Sequence, residues 1–244
     1  MPPPTGRFRT LGRSNRLFRS FLHEQDDPQR FYGDLAADTI TLVEQFQPLD
    51  GQTILDVGAG PVEFAEALAS AGARYIGLDV DAHTVNHTDL TVAVIGQGER
   101  LPFADGSVDL VMSSNVMEHV PAPGVLGREM LRVVRPGGLV VISYTAWLSP
   151  WGGHETSPWH LLGGDFAARR YEARQGHPPK NRFGSTMYAA RVGQGMRWAR
   201  RQGDAEVLAL VPRYLPAWMD WVVAVPGLRE VATWNILMVL RRRR

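Results

Sequence analysis

Short apolar runs alternate with helical stretches along residues 50–145. Runs of strand length lie at residues 53–57, 75–79, 90–95, 108–113 and 139–144. The stretches between them suit helices or the beginnings of helices, at residues 61–70, 82–87, 117–120 and 126–134. Strands that alternate with helices form βαβ units, whose right-handed crossovers place helices on both faces of a parallel sheet. With further strand-like runs at 206–211 and 233–240, the pattern predicts a doubly wound α/β fold with a mainly parallel seven-stranded sheet.

The residues outside 50–145 form an N-terminal segment, a predicted helix and an insertion, each with its own pattern of apolar and polar residues. Arginines and apolar residues alternate at helical spacing over residues 11–22, and another helix is predicted over 28–45, where Asp27 and Pro28 are typical of a helix start. We expect a basic N-terminal arm over residues 1–27 and one domain over 28–244. Residues 146–190 lack a regular period and are rich in Trp, His, Gly and Pro, which predicts an aromatic-rich lid insertion within the domain.

Composition narrows the class of protein. Hydrophobic residues make up 44% of the chain and charged residues 21%, which is ordinary for a globular protein. The chain has no uncharged apolar run of the length that spans a bilayer, and its N-terminus has no apolar core of signal-peptide type. Cysteine is absent, which excludes disulfides and thiolate chemistry. We expect a cytoplasmic protein.

A glycine-rich turn follows the first predicted strand. Gly58 and Gly60 come directly after Asp56 and Val57, where backbone can approach a ligand closely at the carboxyl edge of the sheet. Asp79 ends the next strand, where a carboxylate can accept both hydroxyls of an adenosine ribose. Asp56 would repel a pyrophosphate, whereas it suits a cofactor with a cationic amino acid end and no phosphate.

Four motifs in order resemble those of class I S-adenosylmethionine-dependent methyltransferases of the type 11 group. The first is Asp-Val-Gly-Ala-Gly at 56–60, and the second is Ile-Gly-Leu-Asp at 76–79. Residues 98–111 resemble the third and fourth motifs, and residues 132–139 resemble the turn before the fifth strand. The insertion at 146–190 resembles an actinobacterial subgroup whose acceptor is unassigned. The resemblance implies a Rossmann-like methyltransferase fold, an enzyme and S-adenosyl-L-methionine as its cofactor.

The resemblance also implies two sets of cofactor-binding residues. The first set surrounds the methionine and ribose end, holds the ribose hydroxyls and touches the adenine: Asp56, Gly58, Gly60, Asp79 and Val80. The second set flanks the adenine ring and lies under the sulfonium: Gln97, Gly98, Glu99, Ser114 and Asn115. Two residues depart from the family pattern. Val62 replaces a third glycine, which affects helix packing, and Gln97 replaces an acid, so we expect an amide to bind the adenine amino group.

An acceptor that carries a proton of high pKa also needs a base. His119 is the first candidate, because an imidazole pKa of about 6.5 suits proton acceptance near neutrality. Glu118, directly before it and just past the fourth strand, is also a candidate catalytic residue. His154 is a further candidate catalytic residue, with Glu155 and His160 beside it, because the glycine pair before it is typical of a mobile lid. A packing role is equally compatible with each of these positions.

Glu118 and His119 are also residue types that can bind a metal ion. Some related methyltransferases hold magnesium with two glutamates and a histidine at the position of Glu118 and His119. Asn115 stands here in place of the outer glutamate, and hard divalent cations prefer carboxylate oxygens. The sequence therefore predicts no metal.

Tryptophans and arginines guide the prediction of the acceptor. Trp147, Trp151 and Trp159 lie in the lid, and Trp218 and Trp221 precede the C-terminal arginines. With the basic N-terminal arm, they favour a small or amphipathic acceptor, such as a lipid or an envelope or secondary metabolite, and peripheral contact with the inner face of a membrane. The alternative is that Trp218 and Trp221 fill core and the arginines keep the chain ends in solution. No basic stripe typical of nucleic-acid binding crosses the predicted catalytic edge, so we expect no nucleic-acid partner.

We favour oxygen as the methylated atom, and the pattern leaves nitrogen and carbon open. Two alternatives belong to other classes of protein: a catalytically silent cofactor-binding scaffold, and a membrane-surface module with a vestigial site. The joint presence of Asp56, Gly58, Gly60 and Asp79 favours the enzyme. The sequence does not predict an oligomeric state.

Overall fold

A seven-stranded sheet forms the centre of the molecule, in the order β3-β2-β1-β4-β5-β7-β6. The computed structural model describes residues 6–24, 26–60, 62–81 and 92–244. All neighbouring strands are parallel except β7, which runs antiparallel to β5 and to β6. The strands are β1 (Thr53–Val57), β2 (Arg74–Asp79), β3 (Val92–Ile95), β4 (Val108–Ser114), β5 (Val134–Thr145), β6 (Ala205–Pro212) and β7 (Asn235–Arg242). The predicted doubly wound, mainly parallel sheet is confirmed.

Helices cover both faces of the sheet. They are α1 (Leu11–Leu22), α2 (Pro28–Val43), α3 (Val62–Ser70), α4 (Pro123–Val133), α5 (Gly164–Gln175), α6 (Val192–Arg200) and α7 (Leu228–Ala232). Short 3-10 helices lie at Met117–His119, His154–Thr156, Trp159–Leu162 and Ala217–Ala224. The helix predicted at 82–87 and the first two residues of the strand predicted at 90–95 lie outside the described residues.

The sheet separates two hydrophobic cores. Along β1, Leu55 and Val57 face the core that includes residues of α4 and α6, whereas Ile54 faces the core that includes residues of α2 and α3. Strands inside a doubly wound sheet are buried on both faces, so they are apolar along nearly their whole length. This burial is what makes the carboxyl edge of the sheet a rigid support for the turns that follow each strand.

The N-terminal segment packs against the domain. The α1 residue Arg13 is buried and binds both oxygens of the buried Asp38 on α2, at 2.6 and 2.7 Å. The guanidinium of Arg9 is also buried and pairs with Asp220. Arg16 and Arg19 remain exposed on α1. Residues 9–22 of the segment expected as a basic arm are therefore an integral layer over α2, because two buried arginines pair with carboxylates of the domain, Arg13 with the buried Asp38 and Arg9 with the partly exposed Asp220.

The tryptophans near the C-terminus lie at the surface. Trp218 is 68% exposed and Trp221 is 54% exposed, both on the 3-10 helix Ala217–Ala224. The interpretation that they fill core is therefore wrong: in this short helix it is Val222 and Val223 that are buried. Within the described part of the chain, none of the helices has the length and apolar character needed to cross a membrane.

The insertion at 146–190 contains more regular structure than its pattern predicts. It includes two 3-10 helices and the 12-residue helix α5. Only Ala167 and Ala168 are buried on α5, so this helix lacks the apolar stripe by which helices are predicted from sequence. Trp147 is buried, whereas Trp159 is half exposed and stacks with the guanidinium of Arg170 at 4.0 Å.

Candidate functional site

The turns after β1, β2 and β4 meet at one edge of the sheet. β1 lies between β2 and β4 and is parallel to both, so the three strands end on the same side. In an open α/β sheet, ligands bind in the crevice outside the carboxyl ends of the strands, at the point where the strand order reverses. That point lies here between β1 and β4, and most of the sequence-predicted site residues are found around it.

Gly58 occupies the tightest point of the first turn. It has a φ of +78°, and a Cβ atom would lie 2.2 Å from Cγ2 of Val116. The backbone N–H groups of Gly58 and Ala59 both donate to the carbonyl of Leu78, at 2.8 and 3.0 Å. Only glycine combines this left-handed conformation with so close an approach. The turn after β1 is thereby locked to the end of β2 and to the turn after β4.

Gly60 has no such internal constraint. A Cβ atom there would meet only the carbonyl oxygen of Gly58, at 4.0 Å, and the residue is exposed. Packing among the described residues therefore does not require a glycine at position 60. The missing side chain leaves open space at the carboxyl edge, which is what close approach of a ligand to this backbone needs.

Asp56 is buried directly beneath this turn. It is 4% exposed and accepts a hydrogen bond from the hydroxyl of Tyr75 at 2.9 Å. Burial raises the pKa of Asp56 to about 7, the Tyr75 hydrogen bond opposes this rise, and the nearby Asp79 adds to it. The pKa of Tyr75 is raised as well, by its burial and by Asp56. A cationic ligand at this edge would favour the ionised form of Asp56.

Asp79 and Val80 end the second strand. One oxygen of Asp79 accepts the backbone N–H of Asp81 at 2.9 Å, which orients the carboxylate at the strand end. Val80 is 69% exposed, so its apolar side chain is available to a flat apolar ligand. Both residues lie where the sequence predicts them, beside the glycine turn.

The predicted adenine segment lies beyond the edge strand β3. Gln97 is exposed and Glu99 is half-buried. Gly98 is buried, and a Cβ atom there would lie 2.8 Å from Cδ1 of Leu126 and 3.3 Å from Cγ1 of Val57. Packing between β1 and α4 is therefore sufficient to require a glycine at position 98.

Ser114 ends β4 and Asn115 follows it, and hydrogen bonds from buried side chains fix both residues. Ser114 accepts a hydrogen bond from Nη1 of the buried Arg213 at 2.9 Å, and Arg213 also donates to Ser143 at 2.5 Å. Asn115 has a φ of +57°, and its Oδ1 accepts from Nδ2 of Asn235 at 2.7 Å. Sequence reasoning missed Arg213, because it follows an apolar strand with no motif around it. Its guanidinium places a buried positive charge under this turn.

Glu118, His119 and His154 form one cluster. Their potential ligand atoms all lie within 4.8 Å of one another, and the two imidazole rings are 5.1 Å apart at 85°. The carboxylate of Glu118 is buried, accepts the backbone N–H of Thr145 at 2.9 Å through Oε1, and leaves Oε2 without a hydrogen-bond partner among the described residues. Burial raises the pKa of Glu118, and the neighbouring His119 opposes that rise.

The two histidines of the cluster are held differently. Nδ1 of His119 lies 2.7 Å from the carbonyl oxygen of Thr186. Since a carbonyl oxygen only accepts hydrogen bonds, Nδ1 is the donor, and Nε2 is the ring nitrogen that remains to bind another group. His154 has a φ of +50°. Burial and the nearby His119 lower the pKa of His154 to about 4, so its ring is neutral at physiological pH.

The other candidates in the insertion have structural partners. The buried His160 lies with Nε2 2.8 Å from the carbonyl of Trp147. Glu155 accepts two hydrogen bonds from Asn181, at 2.7 and 2.8 Å. A Cβ atom on Gly152 would lie 2.1 Å from the Trp147 carbonyl oxygen, and one on Gly153 would lie 2.4 Å from the His160 ring. The glycine pair therefore permits close packing inside the insertion, which is reason enough for its presence without a hinge.

The strand order and the edge geometry define the fold of a class I methyltransferase, and solved structures share it. A S-adenosylmethionine-dependent methyltransferase from Mesorhizobium loti has a TM-score of 0.60 at 20% identity, covering 86% of this chain and 100% of that one. Geranyl diphosphate C-methyltransferase from Streptomyces coelicolor, solved with Mg²⁺, geranyl diphosphate and S-adenosyl-L-homocysteine, has a TM-score of 0.56 at 16% identity. That likeness covers 90% of this chain and 85% of the Streptomyces chain.

Sequence relatives make the family assignment. Residues 55–142 match the model of the family described as a methyltransferase domain. An uncharacterized methyltransferase of Mycobacterium marinum is 50% identical over 246 residues, which cover 96% of each chain. The chain belongs to this family of methyltransferases, and it is a S-adenosylmethionine-dependent enzyme. The predicted class of enzyme and its cofactor are confirmed.

The raised pKa of Asp56 predicts a pH-dependent stability. Its folded-state pKa of about 7 lies above the ordinary 3.8, so the protonated carboxyl stabilises the fold at low pH and this contribution is lost as the pH rises towards 7. Asp56→Asn imitates the protonated form and keeps an acceptor for Tyr75. The free energy of unfolding of this variant, relative to the original protein, should rise by about 1.4 kcal/mol per pH unit between pH 5 and 7.

Urea unfolding of the ligand-free proteins at pH 5, 6, 7 and 8 measures this difference. Asp26→Asn, at an exposed position, is the matched control and should show no such trend. A difference between Asp56→Asn and the original protein that stays constant from pH 5 to 8 would contradict the assignment.

Proposed function

We propose that the enzyme transfers the methyl group of S-adenosylmethionine to an oxygen of a small, largely apolar or amphipathic acceptor. The observation that carries this proposal is that Trp151, in the turn that carries His154, belongs to a cluster of aromatic rings. The aromatic cluster consists of Phe18, Phe21, Phe31, Trp151 and Trp234, and Glu118, His119 and His154 form the polar cluster. The polar cluster supplies groups for an acceptor oxygen, and the aromatic cluster supplies a surface for its apolar body. A lipid or an envelope or secondary metabolite combines these two properties.

In this proposal the cofactor lies along the turns after β1 and β2. Its methionine end lies over Gly58 and Gly60, near Asp56, and its ribose hydroxyls bind Asp79. The adenine ring rests on Val80 and is flanked by the segment Gln97, Gly98 and Glu99. The open space at Gly60 and the exposed apolar side chain of Val80 support this placement.

The sulfonium then lies above Ser114 and Asn115, and its methyl group points towards the turn after β4. Ser114 is fixed by Arg213 and Asn115 by Asn235, at 2.9 and 2.7 Å. These hydrogen bonds support a preorganised position for Ser114 and Asn115 beneath the reacting atoms. Positioning two reactants in this way can lower a barrier by roughly 7–11 kcal/mol.

Transfer is an in-line displacement on the methyl carbon. The acceptor oxygen forms the new C–O bond with a lone pair while the C–S bond breaks, and sulfur keeps the bonding pair as a neutral thioether. The acceptor's proton must leave, before or during this step. Glu118, His119 and His154 are the groups that receive the acceptor oxygen and make it nucleophilic, which their grouping within 4.8 Å supports.

The aromatic cluster joins α1, α2, the insertion and the turn before β7. Trp151 contacts Phe21 at 5.3 Å and Trp234 at 6.1 Å, measured between ring centroids. Phe18 contacts Trp234 at 5.7 Å, and Phe21 contacts Phe31 at 6.0 Å. The backbone carbonyl of Trp151 also accepts a hydrogen bond from the backbone N–H of His154 at 3.0 Å. Trp151 therefore belongs both to this cluster and to the turn that carries His154, and aromatic walls of this kind typically line sites for apolar ligands.

Labelled methyl transfer tests this function. The enzyme is incubated with S-adenosylmethionine that carries a deuterated methyl group and with an organic extract of a mycobacterium. We expect the label on an oxygen of an organic-soluble product, identified by mass spectrometry. Trp151→Ala should lower kcat/KM for that acceptor at least about tenfold, which corresponds to about 1.4 kcal/mol, while S-adenosylmethionine affinity stays within about twofold.

Trp159→Ala is the matched control, because Trp159 belongs to the same insertion but stacks on Arg170 at the surface. It should retain full activity. Label that appears only in water-soluble products or on nitrogen or carbon, or a Trp151→Ala enzyme with unchanged acceptor kinetics, would contradict the proposed acceptor.

We also propose that the enzyme meets its acceptor at a membrane surface. Trp218 and Trp221 are exposed on a segment whose first residue, Ala217, donates its N–H to the carbonyl of Arg9 at 2.8 Å. Arg7 and Leu11, which lie two positions to either side of Arg9, are exposed as well. Exposed tryptophan beside basic residues suits the headgroup region of an anionic bilayer.

Vesicle flotation tests this membrane contact. At low salt the protein should float with phosphatidylglycerol vesicles and not with phosphatidylcholine vesicles. The double variant Trp218→Ser, Trp221→Ser should lose most of this binding, whereas Trp159→Ser should keep it. A protein that stays in solution with both kinds of vesicle would overturn the membrane proposal and leave the methyltransferase proposal untouched.

A further inference from the structure

We propose that Glu118, His119 and His154 bind a divalent transition-metal ion, and that the acceptor oxygen completes its coordination. This inference rests on the proposed function, because it assigns to the ion the activation of that oxygen. Two of the donors follow β4 and the third comes from the insertion, so only the folded chain brings them together. Their ligand atoms lie within 4.8 Å of one another.

Glu118 provides the first argument for a cation. It is 2% exposed, and Oε2 has no hydrogen-bond partner among the described residues. Buried carboxylates are normally paired, hydrogen-bonded or bound to a metal. The other oxygen, Oε1, is satisfied by the backbone N–H of Thr145 at 2.9 Å, which orients the carboxylate and leaves Oε2 as the donor atom towards the histidines.

His119 is oriented as metal-binding histidines usually are. Its Nδ1–H donates to the carbonyl oxygen of Thr186 at 2.7 Å. Metal-ligating histidines commonly donate one ring N–H to a carbonyl or carboxylate, which fixes the ring and presents the other nitrogen to the ion. Nε2 of His119 is therefore the ligand atom, and Thr186 belongs to the insertion that also supplies His154.

His154 completes the set in a strained backbone conformation. Its φ of +50° is unusual for a residue with a side chain. Strain of this kind collects at ligand-binding sites, where the surrounding structure enforces it. The His154 ring stands at 85° to the His119 ring with centroids 5.1 Å apart, so the two imidazoles meet edge to face and do not stack.

The donor set indicates the class of metal. Two imidazole nitrogens and one carboxylate suit zinc, manganese, iron(II), cobalt or nickel better than magnesium or calcium, which favour oxygen donors. Asn115 is not a fourth ligand, because its Oδ1 already accepts from Asn235 at 2.7 Å and from Thr145 at 3.3 Å. Bonds of about 2.0–2.2 Å place ligand atoms about 3.4 Å apart, so the side chains must close by on the order of 1 Å.

Three protein ligands leave a coordination position open, as in catalytic zinc sites. An acceptor hydroxyl in that position loses its proton to water at a lower pH than it does free in solution. Its oxygen then forms the C–O bond while the C–S bond of the cofactor breaks, and S-adenosylhomocysteine leaves with the electron pair on sulfur. The substrate class is therefore an acceptor whose reacting hydroxyl or carboxyl oxygen is also a metal ligand.

Metal binding is tested without the acceptor. Protein dialysed against EDTA and then against chelator-free buffer is titrated separately with Zn²⁺, Co²⁺ and Mg²⁺ by calorimetry, and Co²⁺ is also followed by visible absorption. We expect one equivalent of Zn²⁺ or Co²⁺ to bind, with Co²⁺ absorption bands of a low-coordinate nitrogen and oxygen site, and Mg²⁺ to bind much more weakly. His154→Ala and Glu118→Gln each remove a ligand atom, so each should weaken Zn²⁺ binding by more than the about 10–100-fold that loss of an outer-shell partner costs.

His177→Ala is the matched control, since His177 is an exposed histidine of the same insertion, and it should bind Zn²⁺ as the original protein does. Circular dichroism and S-adenosylmethionine affinity check that each variant is folded. No Zn²⁺ or Co²⁺ binding, or full methyl transfer in excess EDTA, would overturn the metal site. Methyl transfer that persists under those conditions would still uphold the proposed function, whereas loss of S-adenosylmethionine binding by the original protein would contradict the proposed function itself.

Discussion

The position of β1 between β2 and β4 is the constraint on which the site depends. Because the three strands are parallel, their carboxyl ends share one edge, and the reversal of strand order opens a crevice there. Gly58 joins the two sides of that crevice. The absence of a Cβ atom lets Val116, in the turn after β4, approach to a distance that any side chain at position 58 would forbid. The turns after β1 and β4 are therefore one packed unit.

The insertion completes this unit from outside the sheet. The backbone N–H of Tyr188 donates to the carbonyl of Glu118 at 2.7 Å, and the carbonyl of Thr186 receives the Nδ1–H of His119 at 2.7 Å. Both contacts fasten the end of the insertion to the turn after β4. Its beginning supplies His154, which packs against the His119 ring. The segment that departs most from the repeating α/β pattern is thus the one that encloses the proposed acceptor site.

Several charged side chains are buried beneath this part of the structure. Arg13 and Asp38 are paired within the protein, and Arg213 donates to Ser114, Ser143 and Thr39. Isolated buried charges are expensive, but paired and hydrogen-bonded ones hold their surroundings in a single arrangement. Here they connect α1, α2 and the end of β6 to the floor of the crevice, so the N-terminal helix contributes to the rigidity of the site.

Elements with a strong local period could be predicted closely from the sequence. The limits of α1 at 11–22 and of β1 at 53–57 agree with the structure, because each carries its own amphipathic or apolar pattern. Helix α5 could not be predicted, because it buries only two alanines. The surface position of Trp218 could not be predicted either, because hydrophobicity alone does not distinguish core from exposed patch.

The other features that could not be predicted from the sequence are contacts between segments far apart in the chain. No periodicity predicts that His154 packs on His119, or that Arg213 lies under Ser114, because these neighbours are set by the whole topology. Glycines are ambiguous for the same reason. At Gly98 and in the pair before His154, the structure gives packing reasons for a glycine, whereas at Gly60 it leaves the space for a ligand.

Calorimetric titration with S-adenosylmethionine and S-adenosylhomocysteine, on the original protein and on Gly60→Ala, shows whether the open edge at position 60 is the cofactor site. The alanine methyl has room in the ligand-free protein, so the variant should keep its thermal stability. Gly203→Ala, at the opposite edge of the sheet and equally free of neighbours, is the control. A cofactor site at this edge predicts micromolar binding of both ligands, and Gly60→Ala should weaken it at least about tenfold. Unchanged binding by Gly60→Ala, or no binding by the original protein, would contradict it.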